Sequence, residues 1–328
     1  MKQQRLRQIL DRARRQRVLV IGDLMLDEFV WGTVGRISPE APVPVVEVSG
    51  ESFYPGGAAN VARNLRQFTN HVSVSGMLGR DRCGEQLLDL LASENIDTAA
   101  CAILPEFATI VKTRIIARQQ QVVRVDREKI VPPKPREIQS VVAAVKKKLA
   151  RIDAILFEDY AKGFLAEELV AQIVPAARAK NKIVAVDPNP KHDISWRGVS
   201  VVKPNRTEAF HAAGILDDSN DGAIEEVGRR LLKKWETELL LITLGDQGMM
   251  LFQRDEEPHR VPTRARQVFD VSGAGDTAIA LFTLALTAGA TPLEATEIAN
   301  HASAVVVGKL GTATVTRAEL LESFANND

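Results

Sequence analysis

The sequence predicts an α/β fold: a mainly parallel sheet between two helical layers, with a small antiparallel β-layer beside it. Three observations carry this. Short continuous apolar runs at residues 18–21, 72–75, 154–157, 183–186, 199–202 and 239–243 have the length and Val/Ile/Leu content of strands covered on both faces. Between most of them lie stretches of helical period, at 84–93, 137–150, 166–179 and 224–234. Residues 42–48 and 109–126 instead alternate apolar and polar side chains, as antiparallel strands with one solvated face do. The β-layer is therefore assigned to about 29–50 and 106–128, inserted into a single domain spanning 1–328, where it can serve as a lid or an oligomer contact.

Composition narrows the function classes. Lys+Arg and Asp+Glu balance at 42 each, so no global basic field favours nucleic acid, and any electropositive site is local. Every apolar run is far shorter than the ~20 residues a bilayer requires. The basic N-terminus (Lys2, Arg5, Arg7, Arg12, Arg14, Arg15, Arg17) lacks the apolar stretch of a signal peptide and reads as a solvated helix face. Two cysteines, Cys83 and Cys101, suit a reducing compartment. A cytoplasmic location follows, with no membrane or nucleic-acid partner.

The strongest chemical signal is Asp270-Val271-Ser272-Gly273-Ala274-Gly275-Asp276, followed by a helix-forming run at 277–286. Gly273, Ala274 and Gly275 leave the backbone open at a helix start, where free N–H groups and the helix dipole make an anion site. A carboxylate in that first turn is an odd neighbour for a phosphate unless it has a task. General-base removal of a proton from an attacking hydroxyl is such a task. The pattern matches neither G-x-x-x-x-G-K-[ST] nor a strand-linked G-x-G-x-x-G. A second small-residue element, Pro55-Gly56-Gly57-Ala58-Ala59-Asn60, again permits close backbone approach at a helix start, with Asn60 offering a donor and an acceptor to a polyol. The five histidines fall at no metal-ligand spacing, so no zinc site is expected.

In this order, the two elements resemble the signature regions of the ribokinase/phosphofructokinase-B family of carbohydrate kinases. Asn205-Arg206-Thr207-Glu208 resembles its N-x-x-E motif, and Thr243-Leu244-Gly245-Asp246-Gln247-Gly248 its nucleotide-side turn. The resemblance covers nearly the whole chain and implies a ribokinase-like three-layer fold with a β-lid. Three further tracts, 22–27, 36–45 and Asp159-Tyr160-Ala161-Lys162-Gly163, resemble the D-glycero-β-D-manno-heptose 7-phosphate kinases of Gram-negative bacteria. That implies phosphorylation of the anomeric C1 hydroxyl, giving heptose 1,7-bisphosphate for the lipopolysaccharide inner core. Many such relatives fuse the kinase to a nucleotidyltransferase domain, and this chain is expected to be the stand-alone kinase.

The resemblance also implies roles. Asp276 matches the base, and Gly273, Ala274 and Gly275 the anion hole. Asn205 and Glu208 match the pair that organises Mg²⁺ and the ATP phosphates through water. Thr243, Gly245 and Gly248 match the nucleotide-facing turn, and Asn300 falls where the family lines its adenine pocket. Asp27, Gly56, Gly57 and Asn60 match the sugar-binding set, with Asp159 added. In several relatives a monovalent cation, K⁺ among them, sits beside the residue matching Asp270. A homodimer through the β-lid is likewise implied.

A substrate that already carries a phosphate needs cations remote from Asp276. The β-layer supplies Lys112, Arg114, Arg118 and Arg124, with Arg36 near its other edge, and guanidinium groups suit a phosphate dianion. Strand alternation places Lys112, Arg114 and Arg118 on one face, provided no bulge intervenes. Two alternatives stay open: another sugar or sugar-phosphate kinase of this fold, and a non-catalytic sugar- or nucleotide-sensing protein, which would be expected to lack the base or the N-x-x-E pair.

Overall fold

A computed structural model of the chain describes residues 1–118, 120–216, 221–265, 268–309 and 311–325. Helix α1 (Gln3–Ala13) leads into β1 (Arg17–Gly22), β2 (Leu24–Ile37), β3 (Pro44–Gly57), α2 (Ala58–Arg66), β4 (His71–Ser75), β5 (Met77–Gly79) and α3 (Arg82–Ser93). There follow β6 (Ala102–Leu104), β7 (Ile110–Ala117), β8 (Gln120–Arg127), α4 (Pro135–Lys148), β9 (Ala154–Glu158), α5 (Glu167–Arg178), β10 (Ile183–Asp187), β11 (Val201–Val202) and α6 (Arg206–Ala213). The chain continues through α7 (Asp221–Trp235), β12 (Leu239–Thr243), β13 (Met249–Gln253), β14 (His259–Val261), α8 (Ala274–Thr287), α9 (Pro292–Val307) and α10 (Arg317–Ala325).

The main sheet has the order β14-β13-β12-β11-β10-β9-β1-β4. Pairs from β4 to β12 are parallel, and only β13 and β14 run antiparallel. Its strands are apolar throughout because both faces are covered. Val18, Val20, Ala154 and Leu156 enter one core with α1, α2, α8 and α9, while Leu19, Ile21, Ile155 and Phe157 enter a second core with α4, α5 and α7. This is the expected three-layer ribokinase-like α/β architecture. No helix among the described residues is long and apolar enough to cross a membrane.

The β-layer has the order β3-β2-β7-β8. β2–β3 and β7–β8 are antiparallel pairs, joined along a parallel β2–β7 seam. The 14-residue β2 lies outside the alternating segments read from the sequence. Its first half is buried on both faces and its second half is largely exposed, so it has no uniform period. Two details revise the sequence reading. Arg118 lies beyond the end of β7, so it does not continue the Lys112/Arg114 face, and the bulge opposite Ile115 and Ile116 puts its extra residue, Val122, on β8. Arg118 instead sits exposed at the hairpin end with φ 58°, its N–H donating to Gly32 O at 2.9 Å. Of the three glutamines read between the two runs, Gln120 and Gln121 belong to β8, and Gln119 lies outside the described residues. Trp31 stacks on Phe29 with ring centroids 5.7 Å apart, and its Nε1–H donates to Ser52, which is a packing role within the layer.

Candidate functional site

Parallel strands all present their carboxyl ends at one edge, and in open α/β sheets that edge forms the crevice. Here a cleft of about 620 Å³ opens there, lined by Asp159, Asn205, Glu208, Thr243, Gly245, Gly273, Gly275 and Asp276 among others. The structure thus gathers eight of the sequence-derived site residues along one cleft, from four separate stretches of chain.

The glycine-rich motif begins α8. Gly273 is the N-cap, in the left-handed region at φ 78°, ψ 2°, and Asp276 is the third residue of the helix. The N–H groups of Gly275 and Asp276 have no intrahelical acceptor by virtue of their place in the first turn, and together with the helix dipole they favour an anion. A Cβ on Gly273 would stand 2.9 Å from Asn60 Nδ2, and one on Gly275 would stand 3.5 Å from Lys203 Nζ. Gly273→Ala is therefore expected to cost about 1–2 kcal/mol through its backbone conformation. It should also lower kcat by up to about 10²-fold by displacing Asn60. Thermal unfolding and steady-state kinetics on the same preparation check both.

Asp276 is 6% exposed and has a donor on each oxygen. Asn60 Nδ2–H donates to Oδ2 at 2.7 Å, and the Tyr160 hydroxyl donates to Oδ1 at 2.8 Å. Burial raises its pKa above the ordinary Asp value, while the bonds from Asn60 and Tyr160 and the charge of Lys203 pull the other way. The amide of Asn60, read from sequence as a polyol partner, is spent on the carboxylate. Asn60 Oδ1 is buried without a partner among the described residues.

Below Gly275 lies a charge cluster the sequence reading missed. Lys203, 2% exposed, follows β11 and holds Asp187 Oδ2 at 2.7 Å. Burial pushes Asp187 up to about 7 against the pull of Lys203, and nearby Glu208 adds to the rise. Glu158, fully buried beside Asp187 and Asp276, is pushed well above the usual carboxylate range by desolvation and by those like charges. One signal could have found all three. Glu158, Asp187 and Lys203 are the charged residues that end the apolar runs 154–157, 183–186 and 199–202. In a parallel sheet that position faces the crevice.

The N-x-x-E motif forms the start of α6 as a reciprocal cap. Asn205 Oδ1 accepts from the Glu208 N–H at 2.9 Å, and Glu208 Oε2 accepts from the Asn205 N–H at 2.8 Å. A bridge to Thr243 sets Asn205 beside the β12 turn. No group of three or more His, Cys, Asp or Glu among the described residues is placed to hold a metal ion. The donor set still fits Mg²⁺ arriving with phosphates, because that ion keeps several waters and takes only one or two carboxylates from a protein. Glu208, on the cleft wall with one oxygen committed to its cap, is such a carboxylate.

The residues matched to sugar binding lie mostly in the β-layer and at the start of α2. Asp27, 3% exposed on β2, is held by Arg114 of β7 at 2.5 Å. A Cβ on Gly56 would lie 2.4 Å from Asp27 Oδ2, and one on Gly57, at φ +59°, would lie 2.5 Å from Asp23 O. These glycines therefore let the chain pass against Asp27 and turn into α2. Lys112 and Arg124 both face Asp126, at 3.8 and 2.9 Å. Arg114 is the lid cation that reaches Asp27. Asp159, 6% exposed, pairs with His192 Nδ1 at 3.0 Å and accepts from the Ala161 N–H.

Of the residues matched to the nucleotide and to a monovalent cation, Asn300, Gly248 and Asp270 do not line the cleft described above. Asn300, on α9, donates from Nδ2 to Pro262 O at 2.7 Å and fixes the segment after β14. A Cβ on Gly248 would lie 2.1 Å from Val261 O, so that glycine serves close packing of the β12–β13 turn on β14. Asp270 accepts from the Ser272 N–H at 2.9 Å and the Gly311 N–H at 3.1 Å, tying residue 311 to the helix start.

A buried carboxylate at a helix start and a capped N-x-x-E pair thus line one crevice at the carboxyl edge of the parallel sheet. The pfkB family carbohydrate kinase profile matches residues 15–319, and the chain belongs to that family. The chain is 41% identical over 304 residues to the bifunctional protein HldE of Desulfatibacillum aliphaticivorans, covering 93% of this chain and 62% of that protein. It is 41% identical over 312 residues to the bifunctional protein HldE of Geobacter metallireducens, covering 95% and 64%. The chain thus spans less than two thirds of the length of these relatives. In fold it is similar to phosphofructokinase-2 of Escherichia coli in complex with substrates and products, with TM-score 0.78 and 18% identity over 95% of this chain and 99% of that one. It is also similar to ribokinase of Arabidopsis thaliana complexed with ribose and ATP, with TM-score 0.71 and 18% identity over 94% and 98%.

Proposed function

We propose that this chain transfers the γ-phosphate of ATP to the anomeric C1 hydroxyl of D-glycero-β-D-manno-heptose 7-phosphate, with Asp276 as the general base. The observation that carries the reading is the placement of a buried carboxylate within the same helix turn as two acceptor-free N–H groups. Phosphoryl transfer needs alignment and charge stabilisation more than covalent chemistry. On this reading the terminal phosphate lies at Gly273–Asp276 with Lys203 beneath it, and Asp276 takes the hydroxyl proton. Burial favours that role, since a base whose pKa is raised toward the working pH accepts a proton more readily. An anomeric hydroxyl is also the most acidic on the sugar, which eases late proton transfer. Mg²⁺, held through Glu208 and Asn205 and their waters, would neutralise charge on the β- and γ-phosphates. A K⁺ ion beside Asp270 belongs to the same reading, tested by comparing turnover in K⁺ with turnover in tetramethylammonium.

The heptose assignment rests on the tracts at 22–27, 36–45 and 159–163 and on the similarity to the HldE proteins. An ADP-release assay with Mg²⁺ tests it directly, comparing heptose 7-phosphate with fructose 6-phosphate and ribose. Higher kcat/KM on either competitor overturns the substrate and leaves the kinase. For the 7-phosphate, the paired lid cations are the receptors the geometry favours, Arg114 first. Arg114→Ala is expected to raise KM for the sugar phosphate by about tenfold or more while sparing KM for ATP, because it removes a charge-assisted contact and unpairs buried Asp27. Arg118→Ala, at the exposed hairpin end, should raise it less. Kinetics with each substrate varied in turn separate the two.

The enzyme is placed in the cytoplasm, in a route to lipopolysaccharide precursors, as one catalytic domain. Two edge strands, β3 and β8, and the exposed Val48, Val123 and Val125 support a homodimer through the β-layer. Sedimentation velocity reads it, and a monomer at micromolar concentration overturns it.

A further inference from the structure

The segment between β9 and α5 is shaped chiefly by a carboxylate that does not belong to it. The N–H groups of Tyr160 and Lys162 each donate to Asp23 Oδ2 at 3.0 Å, and that of Phe164 donates to Asp23 Oδ1 at 3.1 Å. Asp23 is 2% exposed at the β1–β2 junction, and its own backbone is held on both sides. Its N–H donates to Glu158 O, and its O accepts from the Ala58 N–H at the start of α2. The curl requires left-handed backbone at Ala161 (φ 53°) and Gly163 (φ 99°). A non-glycine residue in that region is uncommon and is kept there by its surroundings. Asp159 Oδ1 supplies part of that support by accepting from the Ala161 N–H at 2.8 Å.

The consequence of the curl is a single contact. Half-buried Tyr160 aims its hydroxyl at Asp276 Oδ1 at 2.8 Å, while Asn60 on α2 occupies Oδ2. We propose that Tyr160 is a positioning residue for the base and that the Asp23 carboxylate is its anchor, together holding the Asp276 carboxylate at one rotation. This rests on the reading of Asp276 as the base. A carboxylate bonded on both oxygens by donors from two separate elements cannot turn without breaking one bond. The attacking hydroxyl then meets a lone pair already in place, which is how orientation lowers a barrier.

The phenol remains a donor at neutral pH, because burial and the charges of Asp276, Glu158 and Asp187 hold its pKa well above the ordinary Tyr value. Its bond stabilises the Asp276 anion. The other charged groups acting on Asp276 are Lys203 after β11, Asp27 on β2, Glu158 on β9 and Asp187 on β10. All of them persist when the phenol oxygen is removed, so a shift on that removal reports the phenol.

The experiment is Tyr160→Phe in the full chain, assayed with MgATP and sugar phosphate across pH. Expected are a kcat lower by about 10–100-fold, an unchanged KM for ATP, and an acidic limb of the kcat/KM profile moved upward by about one pH unit, the scale of one hydrogen bond to a charged group. Asp23→Asn cannot accept the three N–H bonds as a carboxylate does, so it should reproduce the kcat loss. Combined with Tyr160→Phe it should add little, as expected for residues acting as one unit. A kcat loss with an unmoved pH profile would mean a merely structural role and overturn the proposal. Unchanged kcat and profile in Tyr160→Phe, with Asp276→Asn inactive, overturns the positioning and leaves the base. Turnover retained in Asp276→Asn removes the base reading itself. If Asp23→Asn does not fold, Tyr160→Phe decides alone.

Discussion

Asp276→Asn is expected to lower kcat by about 10²–10⁴-fold with little change in KM for ATP. The amide is isosteric and can still meet Asn60 through its oxygen and Tyr160 through its NH₂, because a phenol oxygen also accepts. What it cannot do is take a proton. The fold should tolerate the change, and the sign of the stability effect follows from the raised carboxyl. A group whose folded pKa lies above its unfolded value contributes stability that is fully present below the unfolded pKa, ~3.9 for Asp. That stability is lost as pH rises through the folded value. The Asn variant has no such loss and should gain on the wild type as pH rises. Calorimetric unfolding at several pH values reads this alongside the kinetics. Turnover within about threefold of wild type would remove Asp276 from the chemistry.

Lys203→Met should be the most damaging substitution to both properties. Removing one partner of a buried pair typically costs about 3–5 kcal/mol, because the other charge is left uncompensated. Here Asp187 is that partner, 2.7 Å away. The deficit should depend on pH. Asp187 already sits at about 7, so its proton-linked stability is fully present below about pH 4 and is lost as pH rises through 7. Without Lys203 the carboxyl rises further, so the variant should fall furthest behind the wild type at pH 8 and recover part of the gap at pH 5. Denaturant titrations at the two pH values measure it. Activity should fall by about 10²-fold or more, the scale of losing one preorganised electrostatic partner at a developing charge. A variant with wild-type kcat would mean that the cation behind Gly275 serves the fold alone.

Legibility followed the range of the interactions. The parallel strands were readable because burial on both faces leaves an uninterrupted apolar run, and five of the six runs lie within described strands. The sixth, 199–202, contracts to Val201–Val202. Residues 273–276 were readable because a helix start with its nest and carboxylate is contiguous in sequence. Strand β2 was not, since its environment changes midway from core to solvent. Nor was the place of Arg118, which falls where β7 ends and the backbone turns left-handed, or of Arg114, whose partner Asp27 lies on another strand. Asn300 and Gly248 fell at suggestive positions, yet their immediate partners are Pro262 and Val261.

The sequence by itself determined the α/β layers, the helix-start anion nest and the identity of the carboxylate within it, because each depends on residues adjacent along the chain or on a simple period. Only the tertiary structure decided what surrounds that carboxylate. Asn60 arrives from 216 residues away and Tyr160 from 116, Lys203 lies beneath Gly275, and Asp27 is turned toward Arg114 across the lid seam. The proton affinity of a buried acid is set by desolvation and by neighbours within a few ångströms, and those neighbours are chosen by packing.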